Sequence, residues 1–313
     1  MTGPGEVLVV GSGYVARHVA AALGAAGWPV TTSSRRPPAA PSRWHRLDAA
    51  RAQSWRELGA ALRPAVVVLA HGPSDITWCE GNPAVAALVH VGSAVQAVRR
   101  FPDAHTLLVS TDNVFAGTAV SYGEPDRVSP PNAYGRAKAA AERVVLEAGL
   151  ACVLRVSLVY GADPHGLRPN FATTAALSLL AGRPVDAPTD HWNTPVLVDD
   201  VAAVTAACLQ ARLTGVLHLG GPERVSRYEW GRRLAEQVGA DPALVRPVRR
   251  ADTRYACRPA SACLHSTVVR DGHPLARLPV RGLAAGGRLL RRELAGPPAP
   301  GVPPPTLLRS EQP

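Results

Sequence analysis

Along the first half of the chain, short apolar runs alternate with longer stretches whose apolar positions fall three and four residues apart. The runs at residues 7–10, 30–33, 65–70, 106–110 and 152–158 read as strands covered on both faces, with a weaker one at 43–47. Between them, an alanine-rich segment reaching about residue 25 and the stretches 83–100 and 132–149 carry helical spacing. Pro130-Pro131 marks the boundary before the last of these. This alternation predicts an α/β chain built on a doubly wound parallel sheet. After residue 160 the pattern loosens. Residues 170–180 and 199–210 read as helices and 215–219 as a strand, and Ser226-Arg227-Tyr228-Glu229 has the spacing of a capping box that opens another helix. From Gly296 onward the Pro-rich residues are expected to form a disordered tail. The predicted organisation is therefore a nucleotide-binding domain over 1–160 and a smaller part over 161–295, some of whose strands and helices return to the first, followed by a tail over 296–313.

The sequence Gly11-Ser12-Gly13-Tyr14-Val15-Ala16 lies between the first apolar run and the alanine-rich segment. That is the strand-turn-helix setting in which Gly-x-Gly-x-x-Ala binds a dinucleotide, and it makes the sheet Rossmann-type. Gly11 and Gly13 let the backbone approach a pyrophosphate, whose charge meets the helix N-terminus opening at Tyr14 and Val15. About twenty residues on, where NAD enzymes carry a carboxylate for the ribose hydroxyl, the chain has Ser33-Ser34-Arg35-Arg36. Two guanidiniums and two hydroxyls suit a 2′-phosphate, so the expected cofactor is NADPH (NADP). Asp48, after the weak third strand, is a candidate partner for the adenine amino group. Ala70 and His71, at the end of the fourth strand, are further cofactor candidates.

Tyr134 and Lys138 are four residues apart, so on a helix they share a face, and an ammonium there lowers a phenol's pKa. The pair would make a proton donor usable near neutral pH. Most such pairs are ordinary helix surface, but Lys138 is the single lysine of a chain whose 34 basic residues are otherwise all arginine. A compact ammonium suits this chemistry where a planar guanidinium does not. Thr111, preceding Tyr134 at the end of a predicted strand, would hydrogen-bond the substrate oxygen.

Composition narrows the function class. The chain has 313 residues, a net charge of +10 and 5% aromatic residues. Its arginines are scattered and no nucleic-acid motif appears, so the charge reads as suited to anionic small molecules, or as the codon usage of a GC-rich genome, and not as a nucleic-acid surface. No apolar run is long enough to span a membrane and no signal peptide is apparent, which points to a cytoplasmic protein with no membrane partner. The five cysteines have neither CxxC nor Cys/His metal spacing and read as small apolar residues, so no metal is expected. A homodimer is left open.

With these residues in place, the chain resembles the dTDP-4-dehydrorhamnose reductase family of extended short-chain dehydrogenases/reductases over nearly all of residues 6–295. The resemblance rests on Cys79-Glu80, Val109-Ser110-Thr111-Asp112-Asn113-Val114-Phe115-Ala116-Gly117 and Tyr122-Gly123-Glu124. It continues through Leu154-Arg155-Val156-Ser157-Leu158-Val159-Tyr160-Gly161, Asn170-Phe171, His218-Leu219-Gly220-Gly221-Pro222-Glu223 and Arg258-Pro259-Ala260-Ser261. It implies that Thr111, Tyr134 and Lys138 are the catalytic triad and that the later residues bind substrate, with Asn113, Asn170, His191, Trp192 and Asn193 as candidates. For His71, Trp78, His191, Trp192 and Asn193, packing remains an alternative to ligand contact. Leu158 stands where the family often has Trp. His90 stands where extended members usually carry an Asn that supports the catalytic lysine through water, so the relay here is open. The expected activity is NADPH-dependent reduction of a keto group, most specifically the 4-keto group of a nucleoside-diphosphate 4-keto-6-deoxysugar. The alternatives are a sugar-nucleotide epimerase and a non-catalytic NADP-binding regulatory subunit. A dehydratase is disfavoured because Thr111-Asp112-Asn113 lacks the Asp-Glu pair expected of one.

Overall fold

The central sheet is made of β1 (Val7–Val10), β2 (Val30–Ser34), β3 (Arg43–Arg46), β4 (Val66–Leu69), β5 (His105–Thr111), β6 (Ala151–Val156) and β7 (Gly215–Leu219). In this computed structural model, which describes residues 5–38, 43–163, 170–265, 275, 278 and 280–295, they run in the order β3-β2-β1-β4-β5-β6-β7, all parallel. The apolar runs are unbroken because helices cover both faces. In β1, Val7 and Val9 pack with Val19 and Leu23 on one side, while Leu8 and Val10 pack with Trp55 and Leu58 on the other. β3, at the edge, carries arginine at both ends and leaves them exposed, a charged edge that discourages further strand pairing.

Helices Tyr14–Ala25 and Val198–Gln210 cover one face, and Ala52–Ala61, Ser93–Arg100 and Ala133–Glu147 the other. Residues 198–219 thus return to the sheet, as helix and then as β7. Most of the remainder builds a third core around Tyr160, Leu179, Trp230 and Leu234, where helices Phe171–Leu180, Arg227–Val238 and Leu283–Ala295 meet. In this part the two-residue strand Trp192–Asn193 lies between Val225–Ser226 and Ser261–Ala262.

Three features differ from the sequence pattern. The sixth strand ends at Val156, and Val159–Tyr160 pairs separately with Val196–Leu197. The helix over 83–100 widens to a π turn at Leu88–Gly92. Helices Ala52–Ala61 and Ile76–Gly81 had not been anticipated, since each buries only two side chains and so shows little periodicity. The capping box is formed: Ser226 Oγ accepts from the Glu229 amide at 3.1 Å, and the Ser226 amide donates to Glu229 Oε2 at 3.0 Å. The Pro-rich tail lies outside the described residues.

Candidate active site

The catalytic candidates gather at the carboxyl ends of β4 and β5, where open α/β sheets bind ligands. Thr111 closes β5 and is buried. Its hydroxyl donates to Asp112 Oδ1 at 3.1 Å and accepts from the Asn113 amide at 3.2 Å. Asp112 is buried too, and burial pushes its carboxyl up to about 6 against hydrogen bonds from Ser157, Thr111 and Asn113. Lys138 lies on the buried face of helix Ala133–Glu147 and donates to the Val109 carbonyl, two residues before Thr111 on β5. Burial lowers its ammonium to about 8, with Glu142 opposing the shift. Tyr134 is half-buried one turn earlier on this helix, with its ring edge-on to His90 at 5.6 Å.

The helix that carries Tyr134 and Lys138 is fixed at its start. Asn132 caps it by accepting from the Gly135 amide at 2.8 Å, and its side-chain amide donates to Asn113 Oδ1 and to the Cys257 carbonyl. Glu80 accepts from the Ala133 amide at 2.7 Å. Gly135 has no side chain because a Cβ there would overlap the Asn113 carbonyl oxygen. Helix and Thr111–Asn113 turn are thereby pressed together. Glu80 and Gly135 were not among the predicted site residues; Glu80 stood only in a motif with no role attached.

On the nucleotide side, Gly11 has φ of +131°, and a Cβ on it would press on the Ala70 carbonyl oxygen, so only glycine leaves this cradle open. Gly13 has open space, and the helix beginning at Tyr14 has no side-chain cap. Its amides are therefore free to meet an anion. Ser33 is buried with a hydroxyl lacking a partner among the described residues. Ser34 accepts from Trp44 Nε1 at 3.0 Å and donates to the Arg36 carbonyl at 2.5 Å, shaping the turn that leaves Arg35 and Arg36 exposed. Asp48 accepts from the Ala50 amide at 3.2 Å, a local turn bond. Tyr14 and Val15 face inward, and the Tyr14 hydroxyl sits against Gly161. His71 bonds Ser93 at 2.8 Å. These features fit a dinucleotide.

On the other wall, His191 and Asn193 are buried, and His191 Nδ1 and Asn193 Oδ1 have no partner among the described residues. Trp192 lies under the Arg224 guanidinium at 3.9 Å. Asn170 spends its side chain on structure, accepting from the Thr173 amide and donating to the Gly161 carbonyl at 2.7 Å. Asn113 likewise bonds Asp112, Thr111 and Asn132. Trp78 is exposed.

A cationic pocket for a diphosphate was conceivable from the scattered arginines, but the sequence did not say which ones would form it. Arg227, Arg254 and Arg258 stand 5.1, 5.3 and 4.9 Å from the Tyr255 ring centre, and His191 is 5.4 Å from the same ring. Burial would raise the Tyr255 phenol, but the three guanidiniums bring it below its ordinary value. Burial lowers Arg227 to about 10, and its Nε has no partner among the described residues. None of the three joins an ion pair among the described residues. Asp75 acts on Arg254 and Arg258 from a distance. A buried guanidinium with an unused donor is costly unless an anion completes it. The available signal was the Arg258-Pro259 motif.

The chain matches the RmlD substrate binding domain family over residues 5–275. It is 35% identical over 201 residues to the probable low-salt glycan biosynthesis reductase Agl14 of Haloferax volcanii, covering 61% of this chain and 66% of that one. It is 31% identical to the dTDP-4-keto-6-deoxy-D-glucose reductase of Streptomyces niveus, covering 77% of this chain and 81% of that one. With the methionine adenosyltransferase 2 subunit beta of Rattus norvegicus it shares 30% identity over 64% of this chain and 63% of that one. Two of these three matches thus span slightly less than two thirds of the relative. Among solved structures, the dTDP-4-dehydrorhamnose reductase of Bacillus anthracis in complex with NADP superposes with a TM-score of 0.80 at 19% identity, covering 93% of this chain and 99% of that one. By family model, sequence relatives and fold, the chain belongs to the RmlD substrate binding domain family of sugar-nucleotide reductases.

Proposed function

We propose that the chain is an NADPH-dependent ketoreductase that reduces the 4-keto group of a nucleoside-diphosphate 4-keto-6-deoxysugar. The observation that carries this reading is the convergence of Thr111, Tyr134 and a buried Lys138 at the end of β5, with Lys138 bonded to the Val109 carbonyl of the same strand. Bound NADPH would supply a hydride to the carbonyl carbon. The Thr111 hydroxyl, turned from Asp112 to the substrate oxygen, orients the carbonyl, and Tyr134 gives its phenolic proton to that oxygen, completing the alcohol. The Lys138 ammonium stabilises the phenolate left behind. Gly11, Gly13 and the helix N-terminus would hold the pyrophosphate, and Ser33, Ser34, Arg35 and Arg36 the 2′-phosphate.

The diphosphate reading is supported by Arg227, Arg254 and Arg258, whose cluster around Tyr255 calls for an anion beside the catalytic turn. His191 and Asn193, with buried atoms still to be bonded, suit contacts to the same ligand. Likeness to a protein named as a subunit, the rat methionine adenosyltransferase 2 subunit beta, supports a second reading, a chain that binds NADP without turnover. NADPH oxidation against a panel of 4-keto-sugar nucleotides and unrelated ketones separates the two. Steady consumption with a sugar nucleotide supports the reductase, and cofactor binding without consumption across the panel supports the subunit.

A further inference from the structure

Lys138 is an ammonium buried almost completely, and an ammonium has three N–H donors to satisfy. Among the described residues one of them is spent, on the Val109 carbonyl. Close by lies an imidazole with the complementary deficit. β4 runs beside β5 with Leu69 paired to Leu108, so His71, two residues past that pair, leaves β4 next to the Val109–Thr111 end of β5 that carries Lys138's acceptor. Adjacent strands are only about 4.8 Å apart. Ser93 Oγ donates to the His90 carbonyl at 3.2 Å, so its lone pairs receive His71 Nε2–H at 2.8 Å. With the ring proton assigned to Nε2, where the Val89 carbonyl also acts on the ring, His71 Nδ1 is a buried acceptor without a partner among the described residues.

His90 closes the same wall. Its Nε2 donates to the Pro73 carbonyl at 3.0 Å, and its ring fills the space that Gly72 leaves, where a Cβ would overlap it. His90 lies within the π turn at Leu88–Gly92, and Ser93 follows it directly at the start of the next helical stretch. Both imidazoles feel the Lys138 charge and are kept neutral by burial. The groups facing Lys138 are then Glu142 and Tyr134 on its own helix, His71 from the end of β4 and His90 from the π turn.

We propose that His71 is a positioning residue for Lys138: its open Nδ1 accepts, through one bridging water, a hydrogen bond from the buried ammonium, with Ser93 holding the tautomer and His90 closing the wall. A water there would have the two polar partners that a buried water needs. Removing the acceptor leaves the ammonium less well solvated, so Lys138 loses its proton at lower pH. The role assigned to the charge rests on the proposed reductase mechanism, but the test does not.

Because Lys138 is the only lysine in the chain, protein grown with lysine carbon-13 labelled at Cε gives one lysine resonance, whose shift against pH reports this ammonium directly. The wild-type midpoint is expected at about 8. His71→Phe should lower it by about one pH unit or more, and His71→Val, which is smaller, should do the same where Phe does not fit. His71→Gln, which can still offer an acceptor, should return it towards the wild-type value. Midpoints unmoved in folded His71→Phe or His71→Val protein overturn the proposal. No turnover enters this measurement, so a failed NADPH assay would remove the reductase reading and leave the titration standing, and the converse holds.

Discussion

Arg35 and Arg36 stand exposed after β2, on a turn tied by the Ser34 hydroxyl to Trp44 and to the Arg36 carbonyl. Their proposed role is to meet a 2′-phosphate, which NADH lacks. Arg35→Ala or Arg36→Ala should therefore weaken NADPH roughly ten- to a hundredfold and leave NADH nearly unchanged, the loss of one charge-assisted contact. Titration of each variant with both cofactors checks this, and equal losses for the two would remove the phosphate assignment. Residues of this kind were legible because their chemistry is local. Gly11, Gly13, Tyr134 and Lys138 announce themselves by spacing. Arg227, Arg254 and Arg258 do not, because they acquire meaning only when separate segments meet around Tyr255, and His71, a candidate for cofactor contact by its place after a strand, shows its proximity to Lys138 only in the folded chain.

At the scale of elements, the strands of the nucleotide-binding half could be read from sequence because a strand covered on both faces must be apolar throughout, as β1 and β4 are. The short strands near Trp192 could not, since two-residue pairings follow from tertiary contact and leave no periodicity. The π turn was equally invisible: it preserves helical composition while changing which side chains point at the site. Helix Ala133–Glu147 can lie against the Thr111–Asn113 turn because position 135 has no side chain. In Gly135→Ala the new methyl would collide with the Asn113 carbonyl oxygen, so the helix must shift away from the Thr111–Asn113 turn. Overpacking of this kind costs about 1 to 3 kcal/mol, and displacing Tyr134 by roughly an ångström should cut kcat about a hundredfold. Thermal melts and steady-state kinetics on this variant test the pair of effects. An unchanged kcat would show that the contact does not position Tyr134.

For the whole molecule, buried histidines should govern acid stability. His71 and His90 are lowered to about 4 and about 3, chiefly by burial and secondarily by Lys138, and His105, His191 and His218 are lowered as well. Each binds its proton more readily in the unfolded chain, so its contribution is fully present above about pH 6.5 and drains away as pH falls towards the folded value. Asp112 works the other way. Its carboxyl is raised to about 6, so the folded state gains relative stability as pH falls through that value. The histidines outnumber it, and a net loss of at least about 2 kcal/mol is expected between pH 7 and 5. Urea unfolding at the two pH values measures it, and equal or greater stability at pH 5 would contradict the burial of neutral imidazoles. No helix among the described residues is long and apolar enough to cross a membrane.

All of this converges on one proton. Tyr134→Phe keeps the ring that packs edge-on against His90 and removes only the phenolic hydroxyl. The direct test mixes wild-type and Tyr134→Phe protein, each loaded with NADPH, with a nucleoside-diphosphate 4-keto-6-deoxysugar and follows a single turnover by NADPH absorbance. The account predicts rapid oxidation by the wild type and, in the variant, near-complete loss of it with NADPH affinity largely retained. Oxidation by Tyr134→Phe at the wild-type rate would show that Tyr134 is not the acid and would contradict the mechanism at its centre.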